Sequence, residues 1–174
     1  LTKRYALFKK ESVPMSIVVG EPVPDVAIFL ASPDGPVAAS TGSVFANKHV
    51  VLFAVPGAFT PTCSAKHLPG VVEKADAIYA KGIDLIACVS VNDAFVMAAW
   101  VAQHDVGESI AMIGDGNGAF VQAMGLDRDM SERGMGYRSQ RFAMVIKDGV
   151  VEKSFVESPG GYSVSSAENV LSQL

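Results

Sequence analysis

Apolar and polar residues follow one another along the chain in blocks that predict strands and helices in turn. Three runs are apolar over the length of a strand, at 50–55, 84–91 and 110–113. A run that is apolar on both faces is typical of a buried strand in a parallel sheet. After each run, more polar stretches with recurring apolar residues predict helices over 63–80, 94–104 and 119–124.

Strand patterns at both ends of the chain surround this central alternation. Residues 17–29 predict an extended segment and a strand close to a sheet edge, and residues 37–40 predict the strand that returns. Near the other end, Asp148-Gly149 separates the runs 141–147 and 150–156 and is a strong signal for a β-hairpin. The order of elements predicts an α/β protein with a mixed sheet and helices on both faces.

Three further details follow from the same pattern. Pro69 lies inside the predicted helix 63–80, where it removes a backbone hydrogen bond, so we expect a kink there. Residues 128–140 are polar and contain two glycines, and we interpret them as a loop. A last short helix is expected after Ser165 or Ser166, either of which suits its N-cap.

The composition indicates one globular domain and argues against some classes of partner. The 174 residues suffice for a sizeable core, and 49% of them are apolar. The formal net charge is −4 with no basic block, which argues against nucleic acid and anionic membranes as partners. Two cysteines without a C-x-x-C pair favour a reducing compartment and indicate no cysteine zinc site.

The first 14 residues differ from the rest because they carry four basic side chains and one acidic side chain. We expect them to be a leader or an extension outside the fold, with residues 15–174 forming the single domain. The alternative is the end of a processed organelle-targeting segment, since such segments are basic and poor in acids.

The strongest chemical signal lies between the strand at 50–55 and the helix at 63–80. Pro56-Gly57 ends the strand, a loop rich in proline and threonine follows, and Cys63 stands in the first turn of the helix. Free N–H groups and the positive end of the helix dipole meet there, and both favour thiolate over thiol. The pattern predicts a reactive cysteine.

The spacing Pro56-x-x-x-Thr60-x-x-Cys63 resembles the active-site motif of the peroxiredoxins. The longer string PGAFTPTCS, followed by KH-x-PG, is similar to the type II and peroxiredoxin-five branch of that family. The resemblance spans about residues 17–174. It implies a thioredoxin-like fold with an N-terminal β extension. It also implies a thiol peroxidase that reduces hydrogen peroxide and alkyl hydroperoxides without metal, haem or flavin.

The resemblance also assigns roles to individual residues. Cys63 would be the nucleophile that becomes a sulfenic acid, and Pro56 would shield its pocket. Thr60 would donate its hydroxyl proton to the thiolate or the peroxide, or cap the helix. The backbone N–H groups of Thr62 and Cys63 would form an anion nest. Arg141 would hold the thiolate and polarise the O–O bond.

Three side chains carry competing interpretations. Arg138 is the alternative choice for the site arginine. His67 lies four residues after Cys63, where a protonated imidazole would favour the thiolate; we favour instead an exposed or subunit-contact histidine. Cys88, 25 residues after Cys63, is favoured as an inert core residue. By resemblance to plant type II members it would instead be a resolving thiol.

The resemblance also bears on how oxidised Cys63 is reduced again, on the oligomeric state and on the compartment. The mammalian member carries a resolving cysteine near its C-terminus, but the matching residues 162–166 contain no thiol. Reduction is therefore expected from glutaredoxin with glutathione, from thioredoxin, or from Cys88. The family analogy implies a homodimer. We expect a cytoplasmic protein, or one of an organelle matrix if residues 1–14 are a targeting remnant.

Two other classes of function compete with this interpretation. A phosphatase loop requires an arginine six residues after the cysteine, where this chain has Pro69. A Cys–His hydrolase would need His49, His67 or His104 as a base, and no motif marks any of them. A thioredoxin-like binding module, the non-enzyme alternative, would leave Cys63 with ordinary reactivity.

Overall fold

A computed structural model describes residues 15–174, so the expectation for residues 1–14 lies outside the described part. The strands of this part are, in chain order, β1 (Ala27–Leu30), β2 (Val37–Ser40), β3 (His49–Ala54), β4 (Leu85–Ser90), β5 (Ala111–Gly114), β6 (Asp127–Asp129), β7 (Tyr137–Ser139), β8 (Phe142–Lys147) and β9 (Val150–Val156). Its α-helices are α1 (Thr41–Phe45), α2 (Leu68–Tyr79), α3 (Ala94–Gln103), α4 (Ala119–Ala123) and α5 (Ala167–Gln173).

Seven of these strands form one mixed sheet in the order β2-β1-β5-β4-β3-β8-β9. The central strands β3, β4 and β5 are parallel, as their long apolar runs predict. The β1–β2 hairpin extends the sheet at one edge through an antiparallel pairing of β1 with β5. The β8–β9 hairpin completes the other edge, where Asp148 and Gly149 both have positive φ, as the predicted tight turn requires.

Each face of the sheet is covered by helices, and alternate residues of β3 show the division. Val51 and Phe53 belong to the buried cluster that includes α2, α3 and α5. Val50 and Leu52 belong to the cluster on the other face, with α1 and α4. The predicted mixed sheet with helices on both faces is therefore confirmed. None of the helices within residues 15–174 is both long and apolar enough to cross a membrane.

The interpretation of residues 128–140 as a loop is wrong in part. Strands β6 and β7 pair antiparallel there, with Arg128 opposite Arg138, and a 3-10 turn at Ser131–Arg133 connects them. Glycines 134 and 136 adopt positive φ and reverse the chain. Each of these two strands is only three residues long. That length is too short for an alternation of apolar and polar residues to be recognised in the sequence.

Pro69 does not interrupt a regular α-helix, and the expected kink there stays a prediction. Residues Cys63–His67 form one turn of π-helix, in which the Leu68 N–H donates to the carbonyl of Cys63. The α-helix α2 begins only at Leu68, so Pro69 lies in its first turn. The helical backbone is continuous through the π-helical turn into α2, so Pro69 follows a change of helical period directly.

Candidate active site

The loop between β3 and the π-helical turn is held by side chains from neighbouring segments. The Ala58 N–H donates to Asn92 Oδ1 at 3.0 Å, and the same oxygen accepts from the Ser90 hydroxyl at 2.6 Å. Arg138 donates to the carbonyl of Met135 at 2.7 Å and to that of Val91 at 3.3 Å. Arg138 therefore stabilises the backbone of two segments next to the loop. It makes no hydrogen bond to Cys63.

Cys63 is completely buried and begins the π-helical turn. The next residue, Ser64, accepts a hydrogen bond from the indole Nε1 of Trp100 at 2.9 Å. The Ser64 N–H donates to the carbonyl of Thr60 at 3.0 Å. The position of the thiol is thus determined by both the preceding loop and helix α3.

Arg141 lies immediately before β8, and its guanidinium reaches the thiol. Its Nη2 is 3.4 Å from Cys63 Sγ, and its Nη1 is 3.0 Å from Nδ1 of His67. The ring of Tyr162 lies 5.9 Å from the guanidinium carbon, within cation–π range. A fixed positive charge with two directed donors stands beside the sulfur, an arrangement that stabilises a thiolate.

His67 is completely buried, so the favoured expectation of an exposed or subunit-contact histidine is wrong. Its Nε2 lies 3.1 Å from the carbonyl of Ser165, which can only accept, and its Nδ1 faces Arg141, which can only donate. The imidazole therefore carries its proton on Nε2 and is neutral. Burial, with the Arg141 charge second, lowers the pKa of His67 to about 3. The alternative of a protonated imidazole beside the thiol is wrong for the same reasons.

Glu157 organises the loop that holds His67 from the other side. Its carboxylate accepts from the backbone N–H and the hydroxyl of both Ser163 and Ser165, at 2.6–3.4 Å. Burial acts to raise the pKa of Glu157, but these hydrogen bonds outweigh it, and the pKa is lowered. The Glu157 N–H donates to the carbonyl of Arg141 at 3.0 Å, so loop, histidine and arginine form one connected unit.

The Thr60 hydroxyl does not donate to the Cys63 sulfur, and its predicted contact with a peroxide oxygen stays a prediction. It donates to the carbonyl of Gly57 at 2.7 Å, within its own loop. A hydroxyl that donates in this way keeps its lone pairs available to accept. Pro56, Thr60, Thr62 and Arg141 all line one open cavity of about 480 Å³.

Cys88 lies in β4, completely buried, opposite Phe53 of β3. Both cysteines are free thiols, and they share the buried cluster on one face of the sheet. Burial, with the nearby Cys63 second, raises the pKa of Cys88 well above its ordinary value. These properties describe a core thiol of low nucleophilicity.

Several residues of the site were not predicted from the sequence. Glu157, Tyr162 and Ser165 come together only through the loop after β9, and no local motif indicates them. Arg128 and Arg133, which also line the cavity, lie in the segment interpreted as a loop. Within residues 15–174, no group of three or more His, Cys, Asp or Glu could hold a metal ion.

The chain matches known proteins over nearly its whole length. The sequence profile of the Redoxin family matches residues 18–171. Peroxiredoxin-2B of Arabidopsis thaliana is 46% identical over 159 residues, 91% of this chain and 98% of that protein. The chloroplastic peroxiredoxin-2E-2 of Oryza sativa subsp. japonica is 46% identical over 168 residues, 94% of this chain and 75% of that protein.

Solved structures agree with this relationship. The crystal structure of reduced Prx3 from Vibrio vulnificus, in complex with H₂O₂, superposes with a TM-score of 0.86 at 48% identity. The match covers 90% of this chain and 98% of that one. The fold is therefore thioredoxin-like, as predicted. Within that class, the chain belongs to the peroxiredoxin family, and it is accordingly a thiol peroxidase.

Proposed function

We propose that Cys63 is the peroxidatic cysteine for hydrogen peroxide and alkyl hydroperoxides. The observation that carries this role is the Arg141 guanidinium, 3.4 Å from the buried Cys63 sulfur. The thiolate attacks one peroxide oxygen, an S–O bond forms and the O–O bond breaks. The leaving oxygen takes a proton and departs as water or an alcohol. Sulfur loses two electrons, which reduce the peroxide, and Cys63 becomes a sulfenic acid.

The residues around the thiol suit this step. The Thr60 hydroxyl donates to Gly57 and lines the cavity, so its lone pairs can accept the peroxide proton. The N–H groups of Thr62 and Cys63, at the start of the helical segment, face no intrahelical acceptor and would bind a peroxide oxygen. Pro56, which lines the same cavity, would limit water around the thiolate.

His67 has a positioning role in this proposal. A buried neutral imidazole that accepts from Arg141 directs the guanidinium without competing for its charge. Its Nε2–H is held by the Ser165 carbonyl, so the acceptor face of the ring stays turned toward Arg141. His67 would thus act through Arg141.

The reductant must come from outside the chain in this proposal. Cys88 is buried, and its pKa is raised, so it is a poor candidate for a resolving thiol. Two external thiols would return the sulfenic acid to a thiol with release of water. We therefore expect glutaredoxin with glutathione, or thioredoxin, and a role in antioxidant defence and redox homeostasis.

A homodimer is part of the same proposal. Phe95 is 69% exposed and Phe29 is 47% exposed, and both line one open groove beside the start of α3. Exposed aromatic side chains that share a groove are typical of a protein–protein contact. Light scattering of the wild type and a Phe95→Ser variant tests it, with a dimer expected only for the wild type.

The compartment is proposed on the basis of the two free thiols. They suit the reducing cytoplasm. An organelle matrix is the alternative, which the chloroplastic relative from rice supports.

Stopped-flow oxidation of the reduced protein by hydrogen peroxide tests the role of Cys63. The single tryptophan, Trp100, bonds to the neighbour of Cys63 and provides the fluorescence signal. We expect a fast reaction in the wild type and in Cys88→Ala, lost in Cys63→Ser. A wild type that reacts no faster than a free thiol of pKa about 8.5 would refute the role.

A further inference from the structure

The cavity lined by Thr60, Thr62 and Arg141, all close to Cys63 in the chain or in space, is much larger than hydrogen peroxide needs. Its volume is about 480 Å³, whereas a water molecule takes about 30 Å³ and hydrogen peroxide has only one oxygen more. Volumes of this order are typical of sites for organic ligands. The excess space extends toward the β6–β7 segment, which contributes Arg128 and Arg133.

The charge of this cavity is opposite to that of the chain. Arg128, Arg133 and Arg141 line it, while the formal net charge of the protein is −4. Among the described residues, the only carboxylate that lines it is Glu157, and its oxygens already accept from Ser163 and Ser165. Within residues 15–174, ion pairs join only His49 with Glu152 and Lys74 with Glu73, so Arg128 and Arg133 have no carboxylate partner there.

The cavity also offers apolar surface beside these charges. Met130 and Met135 flank the 3-10 turn and line the same space. A thioether side chain adapts to irregular alkyl groups. The lining therefore combines guanidinium groups, which bind carboxylates by paired hydrogen bonds, with surface for a flexible organic chain.

We propose that this cavity is a carboxylate-binding subsite, in which Arg128 and Arg133 hold the carboxylate of an organic co-substrate that reacts at Cys63. This inference rests on the proposed function. Two co-substrates carry the required chemistry: an organic hydroperoxide with a carboxylate, and a carboxylated thiol that reduces the sulfenic acid. The hydroperoxide would leave as the alcohol. The thiol would form a mixed disulfide with Cys63 and release water.

The test compares each carboxylated co-substrate with its own neutral ester. One arm measures oxidation of Cys63 by linoleic acid hydroperoxide and by its methyl ester. The other arm measures reduction of preformed Cys63 sulfenic acid by glutathione and by glutathione diethyl ester. In one of the two arms, we expect the wild type to react about tenfold faster with the acid than with the ester. The two partly exposed ion pairs of the carboxylate with Arg128 and Arg133 would each contribute about threefold.

Substitutions then locate the cause of that preference. The double variant R128Q/R133Q should bring the acid-to-ester ratio close to one, and R128K/R133K should retain most of it because the charges remain. Lys147→Gln removes one exposed positive charge at the far end of β8 and should leave the ratio unchanged. Added salt should reduce the wild-type ratio, since it screens exposed charges.

Each outcome has a defined meaning. Loss of the preference in the oxidation arm identifies a carboxylated hydroperoxide, and loss in the reduction arm identifies a carboxylated thiol. A ratio that R128Q/R133Q leaves unchanged in both arms overturns the subsite. Hydrogen peroxide serves as the uncharged reference in every protein. If the wild type fails to react with hydrogen peroxide, the role of Cys63 fails instead, so the two failures are distinguishable.

Discussion

The guanidinium of Arg141 donates to Nδ1 of the neutral His67 at 3.0 Å, while its other terminal nitrogen lies 3.4 Å from the Cys63 sulfur. One planar group thus connects a buried thiol to a buried imidazole. Because the planar guanidinium fixes the directions of its donors, the orientation of the His67 ring affects the contact between Arg141 and the Cys63 sulfur. This relationship determines which substitutions should impair the reaction.

Replacing Arg141 should slow the attack of Cys63 on peroxide. A hydrogen bond to a charged group contributes about 1.5–3 kcal/mol, so Arg141→Gln should lower the oxidation rate constant by about 10- to 100-fold. Arg141→Lys keeps the charge but loses the two-pronged geometry, and an intermediate rate is expected. Stopped-flow Trp100 fluorescence measures both. Lys147→Gln serves as the charge-matched control, and equal rates in Arg141→Gln and wild type would contradict the assignment.

Substitutions at His67 can separate its two hydrogen bonds. His67→Asn keeps an acceptor near the Nδ1 position, whereas His67→Gln places its amide nearer to Nε2 and the Ser165 carbonyl. If Arg141 needs this acceptor, His67→Asn should retain most of the oxidation rate constant. His67→Gln and His67→Leu should lower that rate constant about tenfold, the equivalent of one hydrogen bond of about 1.4 kcal/mol.

A purely structural role for His67 gives a different order. In that case the rates should follow the free energies of unfolding of the three variants, whichever polar atom each retains. Urea denaturation of each variant provides that comparison.

The neutral state of His67 predicts a dependence of stability on pH. Its pKa is about 3 in the folded protein, against an ordinary value of 6.5 for a solvated histidine, so the unfolded chain binds the proton more readily. The contribution to stability is therefore complete above pH 6.5 and decreases as the pH falls toward 3. Between about pH 7.5 and 5.0 this one group should account for a loss of about 2 kcal/mol.

Urea denaturation at several pH values measures that loss. Other groups titrate in the same range, so the relevant quantity is the difference between wild type and His67→Asn. The variant should lose about 2 kcal/mol less than the wild type between about pH 7.5 and 5.0. Parallel curves for the two proteins would show that His67 is not held neutral.

The residues of the site differ in how far the sequence could predict them. Cys63, Thr60 and Pro56 lie in one contiguous segment, where the end of a strand and the start of a helix leave a local signature. The contact of Arg141 with Cys63 joins residues 78 positions apart and depends on the pairing of β8 with β3. The contacts of Glu157 and Ser165 depend on a loop with no repeating pattern.

The error at His67 arises because the contacts that bury it come from distant parts of the chain. Helical spacing places His67 on the face of Cys63, one turn further along, and Cys63 is itself buried. The imidazole packs between Phe53 of β3 and Tyr162 of the loop after β9, with ring centroids 5.1 and 5.2 Å away. No feature of residues 63–67 indicates these long-range contacts.

The burial of Cys88 predicts the product of oxidation in the absence of a reductant. Its raised pKa leaves little thiolate, and Cys88 is completely buried in β4. One equivalent of hydrogen peroxide should therefore add one oxygen atom to the wild type and to Cys88→Ala alike, as seen by intact mass. A loss of two hydrogen atoms in the wild type, absent from Cys88→Ala, would instead show an internal disulfide. Because Cys88→Ala leaves a small cavity, a cost of about 1 kcal/mol in unfolding free energy is expected without a change in oxidation rate.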